Sequence, residues 1–344
     1  MVTTYNTVNI EGLTIFYREA GSQRNPTILL LHGFPSSSFM FRNLIDALSD
    51  KFHLIAPDYP GFGHSSFPEA SQFSYTFASY ATTIEKFTQA VKVDRYTLYL
   101  QDYGAPIGLR LAQMHPERVT ALIIQNGNAY EEGLSSEWEP IKAYWREPTP
   151  ANRDRLRAWL NPDGIRLQYV AGLPEAHIPM FSPDTWTLDW SFLIRPGNID
   201  VQLDLFRDYR TNVALYPEFQ KFFRTYRLPT LIAWGKYDPF FTVAGAEAYR
   251  NDLPDAELHL LDAGHFALET HVSQIAGLIR DFLETNIMGG CGLCSVGHGS
   301  MRWKTICHAL NKIRNWKRLL MASPGWKGRC GARTVGICSF PTFR

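Results

Sequence analysis

The segment Leu98-Tyr-Leu-Gln-Asp-Tyr-Gly-Ala-Pro-Ile-Gly108 gives the clearest indication of the fold of this chain. Its apolar run ends at Gln101-Asp102-Tyr103 and is followed at once by a helical pattern, which predicts a strand, a sharp turn and a helix. That is the context of a nucleophile elbow, and small residues at Gly104 and Ala105 let the helix pack close to the turn. The chain has no Gly-x-Ser-x-Gly sequence. The residue expected at the apex is therefore a carboxylate nucleophile, Asp102.

Composition is that of an ordinary globular protein with an unusual C-terminal segment. The 344 residues are 45% hydrophobic and 14% aromatic, enough for one large α/β domain with an insertion or for two domains. The formal net charge of +1 hides an asymmetry, because residues 288–344 hold ten Lys/Arg and no Asp/Glu. Residues 1–287 keep the other 24 basic residues against 33 acidic ones. All five cysteines lie in the basic tail, so the body of the protein has no disulfide framework.

Targeting signals are not visible in the sequence. The first residues, Met-Val-Thr-Thr-Tyr-Asn, have neither a basic nor an apolar signal region, and no later run of about 18 apolar residues occurs. We therefore expect a soluble, cytoplasmic protein with no membrane partner.

The order of strand and helix patterns predicts a parallel sheet. Alternating apolar and polar residues over Thr7–Ala20 predict a hairpin. Short apolar runs predict further strands at Pro26–Leu31, Phe52–Pro57, the run before Asp102, Val119–Ile124, Pro229–Trp234 and Glu257–Leu261. Helical spacing occurs at about 39–48, 77–91, 243–252 and 266–285, as well as after the elbow. This alternation indicates a mostly parallel sheet with helices on both faces.

The segment 129–227 interrupts this alternation. It has no clear strand, many aromatic residues and helical runs separated by prolines, which is typical of an inserted helical cap. We therefore expect an α/β core formed by residues 1–128 and 228–287, a cap formed by residues 129–227, and a basic, poorly ordered tail formed by residues 288–344.

Two further candidate catalytic residues follow the resumed strands. Asp238 comes after Pro229–Trp234, and His265 comes after Glu257–Leu261. Ligands in open α/β sheets bind beyond the carboxyl ends of the strands, so both residues are expected near Asp102. Asp262 is an alternative acid, whereas Asn126 and Asn128 end the preceding strand but cannot act as a charged partner.

Five motifs in order carry a family resemblance. They are His32-Gly-Phe-Pro35, Gly61-Phe-Gly-His-Ser65, the elbow at Asp102, Gly235-Lys-Tyr-Asp238 and Gly264-His265-Phe266. Over residues 7–287 the chain resembles the α/β-hydrolase superfamily, and more narrowly its aspartate-nucleophile branch of epoxide hydrolases and haloalkane dehalogenases. The resemblance implies the α/β-hydrolase fold with an inserted helical cap.

The resemblance also implies a two-step hydrolysis. Asp102 attacks an sp3 carbon and forms an ester, which water can cleave, whereas attack by serine would leave a stable ether. His265 then acts as general base on the water, and Asp238 orients the imidazole. The backbone N–H groups of Phe34 and Tyr103 are the expected oxyanion donors. The reaction needs no organic cofactor and no metal.

The leaving group is harder to predict from the sequence. Epoxide hydrolases use two cap tyrosines as proton donors, and Tyr209, which precedes an arginine, resembles the second of them. The segment Tyr144-Trp-Arg-Glu-Pro148 resembles the one that follows the first tyrosine, but it puts Ile141 at the tyrosine position, so Tyr144 or Tyr169 is a candidate substitute.

Haloalkane dehalogenases usually carry Trp after the nucleophile and often Asn after His-Gly, where this chain has Tyr103 and Phe34. Cap tryptophans, Trp145 among them, are candidate substrate or halide contacts. Epoxide hydrolysis of an apolar organic molecule is the favoured interpretation, and a haloalkane or haloacid dehalogenase is the alternative. A non-hydrolytic enzyme or a ligand-binding receptor on the same fold represents a different class.

The tail carries Cys291-Gly-Leu-Cys294 and a basic stretch around Lys312–Arg318. The cysteine and histidine intervals match no recognised zinc pattern. We interpret the tail as an extension that did not evolve with the domain, and we expect it to have no metal site and no nucleic-acid partner.

Overall fold

Eight strands form one sheet in the computed structural model, which describes residues 2–288. The strands are β1 (Thr4–Ile10), β2 (Leu13–Ala20), β3 (Thr27–Leu31), β4 (His53–Pro57), β5 (Tyr96–Gln101), β6 (Val119–Gln125), β7 (Thr230–Gly235) and β8 (Glu257–Leu261). Their order in the sheet is β1-β2-β4-β3-β5-β6-β7-β8. The pairs β1/β2 and β2/β4 are antiparallel, and all the others are parallel. The predicted α/β-hydrolase fold with its mostly parallel sheet is confirmed.

The central strands are almost entirely buried because both of their faces are covered. In β3, Leu29 and Leu31 face one hydrophobic cluster, whereas Ile28 and Leu30 face the other. This is the two-residue alternation of a strand buried on both sides. Strand β8 lies at the sheet edge and is less buried.

Helices cover the two faces of the sheet. In chain order the helices are α1 (Arg42–Leu48), α2 (Phe77–Ala90), α3 (Gly104–Met114), α4 (Glu139–Arg146), α5 (Pro150–Arg155), α6 (Pro162–Val170), α7 (Pro183–Leu193), α8 (Asn198–Asp208), α9 (Arg210–Ala214), α10 (Tyr216–Tyr226), α11 (Val243–Asp252) and α12 (Ala267–Leu283). Helices α1 and α12 pack on one face, and α2, α3 and α11 pack on the other.

Helices α4–α10 all lie between β6 and β7, in the segment for which the sequence predicts a cap. Several prolines of this segment begin helices rather than break them, because the first turn of a helix does not need the missing N–H. Pro150, Pro162, Pro183 and Pro217 all lie in the first turn of their helices.

Local bounds differ from the sequence prediction at a few places. The hairpin begins at Thr4, earlier than the predicted Thr7, and a short 3₁₀ turn, Ser38–Phe41, replaces the start of the first predicted helix. Across residues 2–288 the structure contains no helix of the length and apolar character that a membrane span requires. The predictions for the tail lie outside the described residues.

Candidate active site

Asp102 lies at the apex of the turn between β5 and α3. Its φ of 47° falls in the left-handed region that residues with a side chain seldom adopt, as expected at an elbow. The backbone N–H of Asp102 donates to the Asn126 carbonyl at 3.2 Å, which ties the turn to the end of β6. Gly104 permits this geometry, because a Cβ there would lie 2.1 Å from the Leu31 carbonyl oxygen.

Backbone N–H groups converge on the Asp102 carboxylate. The N–H of Phe34 donates to Oδ1 at 2.6 Å, and the N–H of Tyr103 also hydrogen-bonds the carboxylate. Burial raises the pKa of Asp102 to about 6, although the charge of His265 and these two N–H groups act in the opposite direction. The carboxylate therefore lies where two donors can also stabilise a developing oxyanion.

His265 and Asp238 form a buried pair. His265 Nδ1 lies 2.7 Å from Asp238 Oδ2, and both residues are almost fully buried. Burial alone would lower the pKa of His265, but the charge and hydrogen bond of Asp238, together with the charge of Asp102, raise it. The alternative acid, Asp262, instead pairs with Lys236 at 2.8 Å on the surface.

Asn126 supports this pair in a way that the sequence did not indicate. Its Nδ2 donates to Asp238 Oδ2 at 2.8 Å, and its Oδ1 accepts from the Gly235 N–H at 2.9 Å. The N–H groups of Phe240 and Phe241 donate to Asp238 Oδ1 at 2.8 and 3.1 Å. Both oxygens of Asp238 are thus satisfied, which fixes the carboxylate beside the imidazole.

Gln101, the residue before the nucleophile, contacts the other side of the imidazole. Its Nε2 lies 3.2 Å from His265 Nε2, whereas its Oε1 is buried with no hydrogen-bond partner among the described residues. Because His265 Nδ1 faces Asp238, Nε2 is the nitrogen available to take a proton. The Gln101 amide therefore contacts the nitrogen of His265 that can gain a proton.

A pocket opens onto these groups. From the core it is lined by Phe34, Asp102, Tyr103, Phe240, Phe241 and His265. The lining is mostly aromatic, as is common for pockets that bind apolar organic molecules.

The cap closes the other side of the pocket with residues that the sequence did not single out as substrate contacts. They are Trp138, Ile141, Trp159, Gln168 and Phe206. They come from five helical elements of the cap, two of which are contiguous, so no single local spacing links all of them.

The cap residues predicted from the sequence lie elsewhere. Tyr209, Tyr144 and Trp145 are not among the residues that line the pocket. Tyr209 is buried behind the pocket wall, with its ring centroid 4.5 Å from that of Trp138 and 6.1 Å from that of Tyr103. Tyr144 is buried in the hydrophobic core, and the Trp145 indole N–H donates to the Phe206 carbonyl at 2.7 Å.

Metal ligands do not cluster in the described part of the chain. Residues 2–288 contain no group of three or more His, Cys, Asp or Glu side chains arranged to hold a metal ion.

Comparison with known proteins gives the same fold. The chain is 47% identical over 280 residues to the uncharacterized hydrolase YNR064C of Saccharomyces cerevisiae, a match that covers 80% of this chain and 95% of that protein. It is 28% identical to a cis-3-alkyl-4-alkyloxetan-2-one decarboxylase of Shewanella oneidensis, over 74% of this chain and 81% of that protein.

A solved structure shares the architecture. A loop variant of the haloalkane dehalogenase DbeA from Bradyrhizobium elkanii superposes with a TM-score of 0.70 at 20% identity, over 84% of this chain and 99% of that one. The family model described as the alpha/beta hydrolase fold matches residues 26–272. The chain therefore belongs to the α/β-hydrolase fold family and is a hydrolase of that family.

Proposed function

We propose that the protein is an epoxide hydrolase that opens an apolar organic epoxide through an ester on Asp102. The observation that carries the proposal is a carboxylate at the elbow, hydrogen-bonded by two backbone N–H groups and accompanied by the His265–Asp238 pair. A carboxylate nucleophile suits attack at an sp3 carbon, because the resulting ester can be hydrolysed.

In the first step, a carboxylate oxygen of Asp102 attacks a ring carbon. The ring C–O bond breaks, and its electron pair goes to the ring oxygen, which takes a proton from a water molecule and leaves hydroxide. The Tyr209 phenol, which the sequence predicts as the acid, lies behind the pocket wall. Burial raises the pKa of Tyr209 well above its ordinary value, so the phenol stays protonated at neutral pH. Its hydroxyl is fully enclosed beside Tyr216, and its ring contacts two pocket-lining residues, Trp138 and Tyr103. Tyr209 therefore supports the pocket wall and does not supply the proton in this proposal.

In the second step, water attacks the ester carbonyl carbon while His265 takes its proton. The N–H groups of Phe34 and Tyr103 stabilise the negative charge on the carbonyl oxygen. Collapse of this intermediate expels the diol oxygen, which takes the proton back from His265. The carboxylic acid left on Asp102 gives its proton to the hydroxide formed in the first step. The sum is an epoxide plus water giving a diol.

Intact-protein mass spectrometry tests the proposal. The wild-type protein, His265→Gln and Asp102→Ala are incubated with neutral epoxides, haloalkanes and a dialkyl oxetan-2-one, the last because a relative is named for that substrate class. We expect His265→Gln to accumulate an adduct with the mass of one epoxide, the wild type to release diol, and Asp102→Ala to do neither.

Asp262→Asn is the matched control, because Asp262 pairs with Lys236 on the surface and lies outside the pocket. It should retain wild-type turnover. An adduct that persists in Asp102→Ala, or turnover of no epoxide by the wild type, would contradict the proposal. Decarboxylation of the oxetanone without diol formation from any epoxide would favour a non-hydrolytic enzyme.

A dehalogenase is the second candidate, and one observation favours it. Trp159 lines the pocket, and its indole N–H donates no hydrogen bond to any described residue, so it is free to hold a halide. The Trp138 indole N–H, by contrast, donates to the Phe240 carbonyl at 3.0 Å. Halide release and labelling of His265→Gln by haloalkanes, without labelling by epoxides, would select this function.

A further inference from the structure

Gln168 places an unpaired carboxamide on the cap wall of the pocket. The residue lies in α6 and is only 7% exposed, yet its side chain makes no hydrogen bond to any described residue. Gln168 lines the pocket, and its carboxamide is not among the fully enclosed unpaired polar atoms of residues 2–288. A buried amide without a partner costs free energy unless a ligand or water supplies the missing hydrogen bonds.

Among the other polar groups of the lining, the Trp159 indole offers a free N–H donor but no acceptor, and the rest are engaged or enclosed. Asp102 and His265 belong to the catalytic set, and the Trp138 indole is bonded to a backbone carbonyl. The Tyr103 hydroxyl is fully enclosed and has no partner among the described residues. Gln168 therefore offers both a free N–H donor and a free carbonyl acceptor on the side opposite the catalytic groups.

Charge limits what this carboxamide can bind. The residues that line the pocket include no Lys or Arg, and the Asp102 carboxylate lies within it. A carboxylate on the substrate would meet the like charge of Asp102 and no Lys or Arg to pair with it, which is unfavourable in a buried site. The complementary group is therefore a neutral oxygen.

The geometry points to a hydrogen-bonding subsite at Gln168 for a neutral ether, hydroxyl or carbonyl oxygen on the part of the substrate remote from the reacting carbon. This inference rests on the proposed epoxide hydrolase function and specifies its substrate class. The substrate is a neutral epoxide with an otherwise apolar chain, whose reacting carbon meets Asp102 in the core and whose oxygen meets Gln168 in the cap.

The test compares isosteric substrates. One series consists of 1,2-epoxyalkanes, and the other replaces a single methylene at successive chain positions with an ether oxygen. The kcat/KM ratio of each ether to its alkyl isostere is measured for the wild type and for Gln168→Met, which keeps the length of the side chain but removes the amide. One neutral hydrogen bond contributes about 1 kcal/mol, so the ratio for the best-placed ether should fall roughly fivefold in the variant.

Gln202→Met is the matched control, because Gln202 is also a fully buried cap glutamine with an unpaired Oε1 but does not line the pocket. It should leave the ratio unchanged. Gln168→Leu provides a second variant if Gln168→Met fails to fold, as judged by circular dichroism. A ratio that is the same in the wild type and in the folded Gln168 variant at every ether position would overturn the subsite while leaving the proposed function intact.

Failure of the proposed function has a different signature, since then no epoxide is turned over by the wild type. In that case, calorimetry measures the affinities of the corresponding alkyl and ether diols for the wild type and for Gln168→Met. Preferential binding of one ether diol that disappears in Gln168→Met would support the subsite, and equal affinities would overturn it.

Discussion

Asp102→Asn is expected to stabilise the folded protein at neutral pH while abolishing turnover. Burial raises the pKa of Asp102 from 3.8 to about 6, so the fold disfavours the charged carboxylate. At pH 7 the wild type holds this group ionised in both the folded and the unfolded state. A shift of about two pKa units corresponds to about 3 kcal/mol of stability that asparagine recovers.

The sign of the effect follows from the direction of the shift. A carboxyl group whose folded pKa is raised favours the fold most below its unfolded pKa, and this contribution is lost as the pH rises through the folded value near 6. The advantage of Asp102→Asn should therefore be largest above pH 7 and shrink to less than about 1 kcal/mol at pH 4.

Urea unfolding of the two proteins at pH 7 and pH 4 measures this difference. Asp50→Asn is the control, because Asp50 is exposed and paired with Arg280, whose hydrogen bond lowers the pKa of Asp50. It should not stabilise the protein at pH 7. Equal stabilities of wild type and Asp102→Asn at pH 7, or an advantage that persists unchanged at pH 4, would refute the reasoning.

Three further predictions concern the site. In the proposed mechanism, ester formation requires ionised Asp102, so its rate should decline below about pH 6. Ester hydrolysis requires neutral His265, whose pKa is raised, so its rate should begin to decline at a pH above 6.5. Rapid-quench kinetics would measure the pH profile of each step, and coincident profiles would contradict the prediction. In Gly33→Ala the new Cβ would lie 2.3 Å from the Asp102 Cβ, so activity should fall about 100-fold, while Gly277→Ala, whose Cβ would meet nothing within 4 Å, should keep full activity; equal activities in a steady-state assay would argue against a packed nucleophile. Gln101→Met removes the amide beside His265 Nε2 and should slow ester hydrolysis up to about tenfold with little effect on ester formation, and an equal loss in both single-turnover steps would show a structural role only.

The core of the fold was predictable because its signals are local. A buried parallel strand requires a continuous apolar run such as that in β3, and an elbow requires small residues such as Gly104 after the turn. The candidate catalytic residues Asp102, Asp238 and His265 each follow a strand, and parallel strands bring their carboxyl ends to one edge of the sheet. Local pattern and topology were therefore enough to expect these three residues together.

The supporting contacts could not be read in this way. The sequence excludes Asn126 as the charged partner of His265 because its side chain is an amide. Asn126 nevertheless hydrogen-bonds Asp238 from the end of the neighbouring strand. Gln101 is the last residue of β5, and only its side-chain conformation decides that its amide contacts His265. Both contacts depend on atoms separated by more than 100 residues in the chain.

Short-range periodicity and turn chemistry were enough to predict the α/β sheet, the elbow carboxylate and a helical segment between β6 and β7. Packing between distant segments places Trp138 and Gln168 in the pocket lining and Tyr209 behind its wall. The cap helices are short and joined by irregular turns, so the direction in which each helix presents its residues depends on packing against distant elements. The shape of the pocket depends on those long-range contacts, which no local pattern encodes.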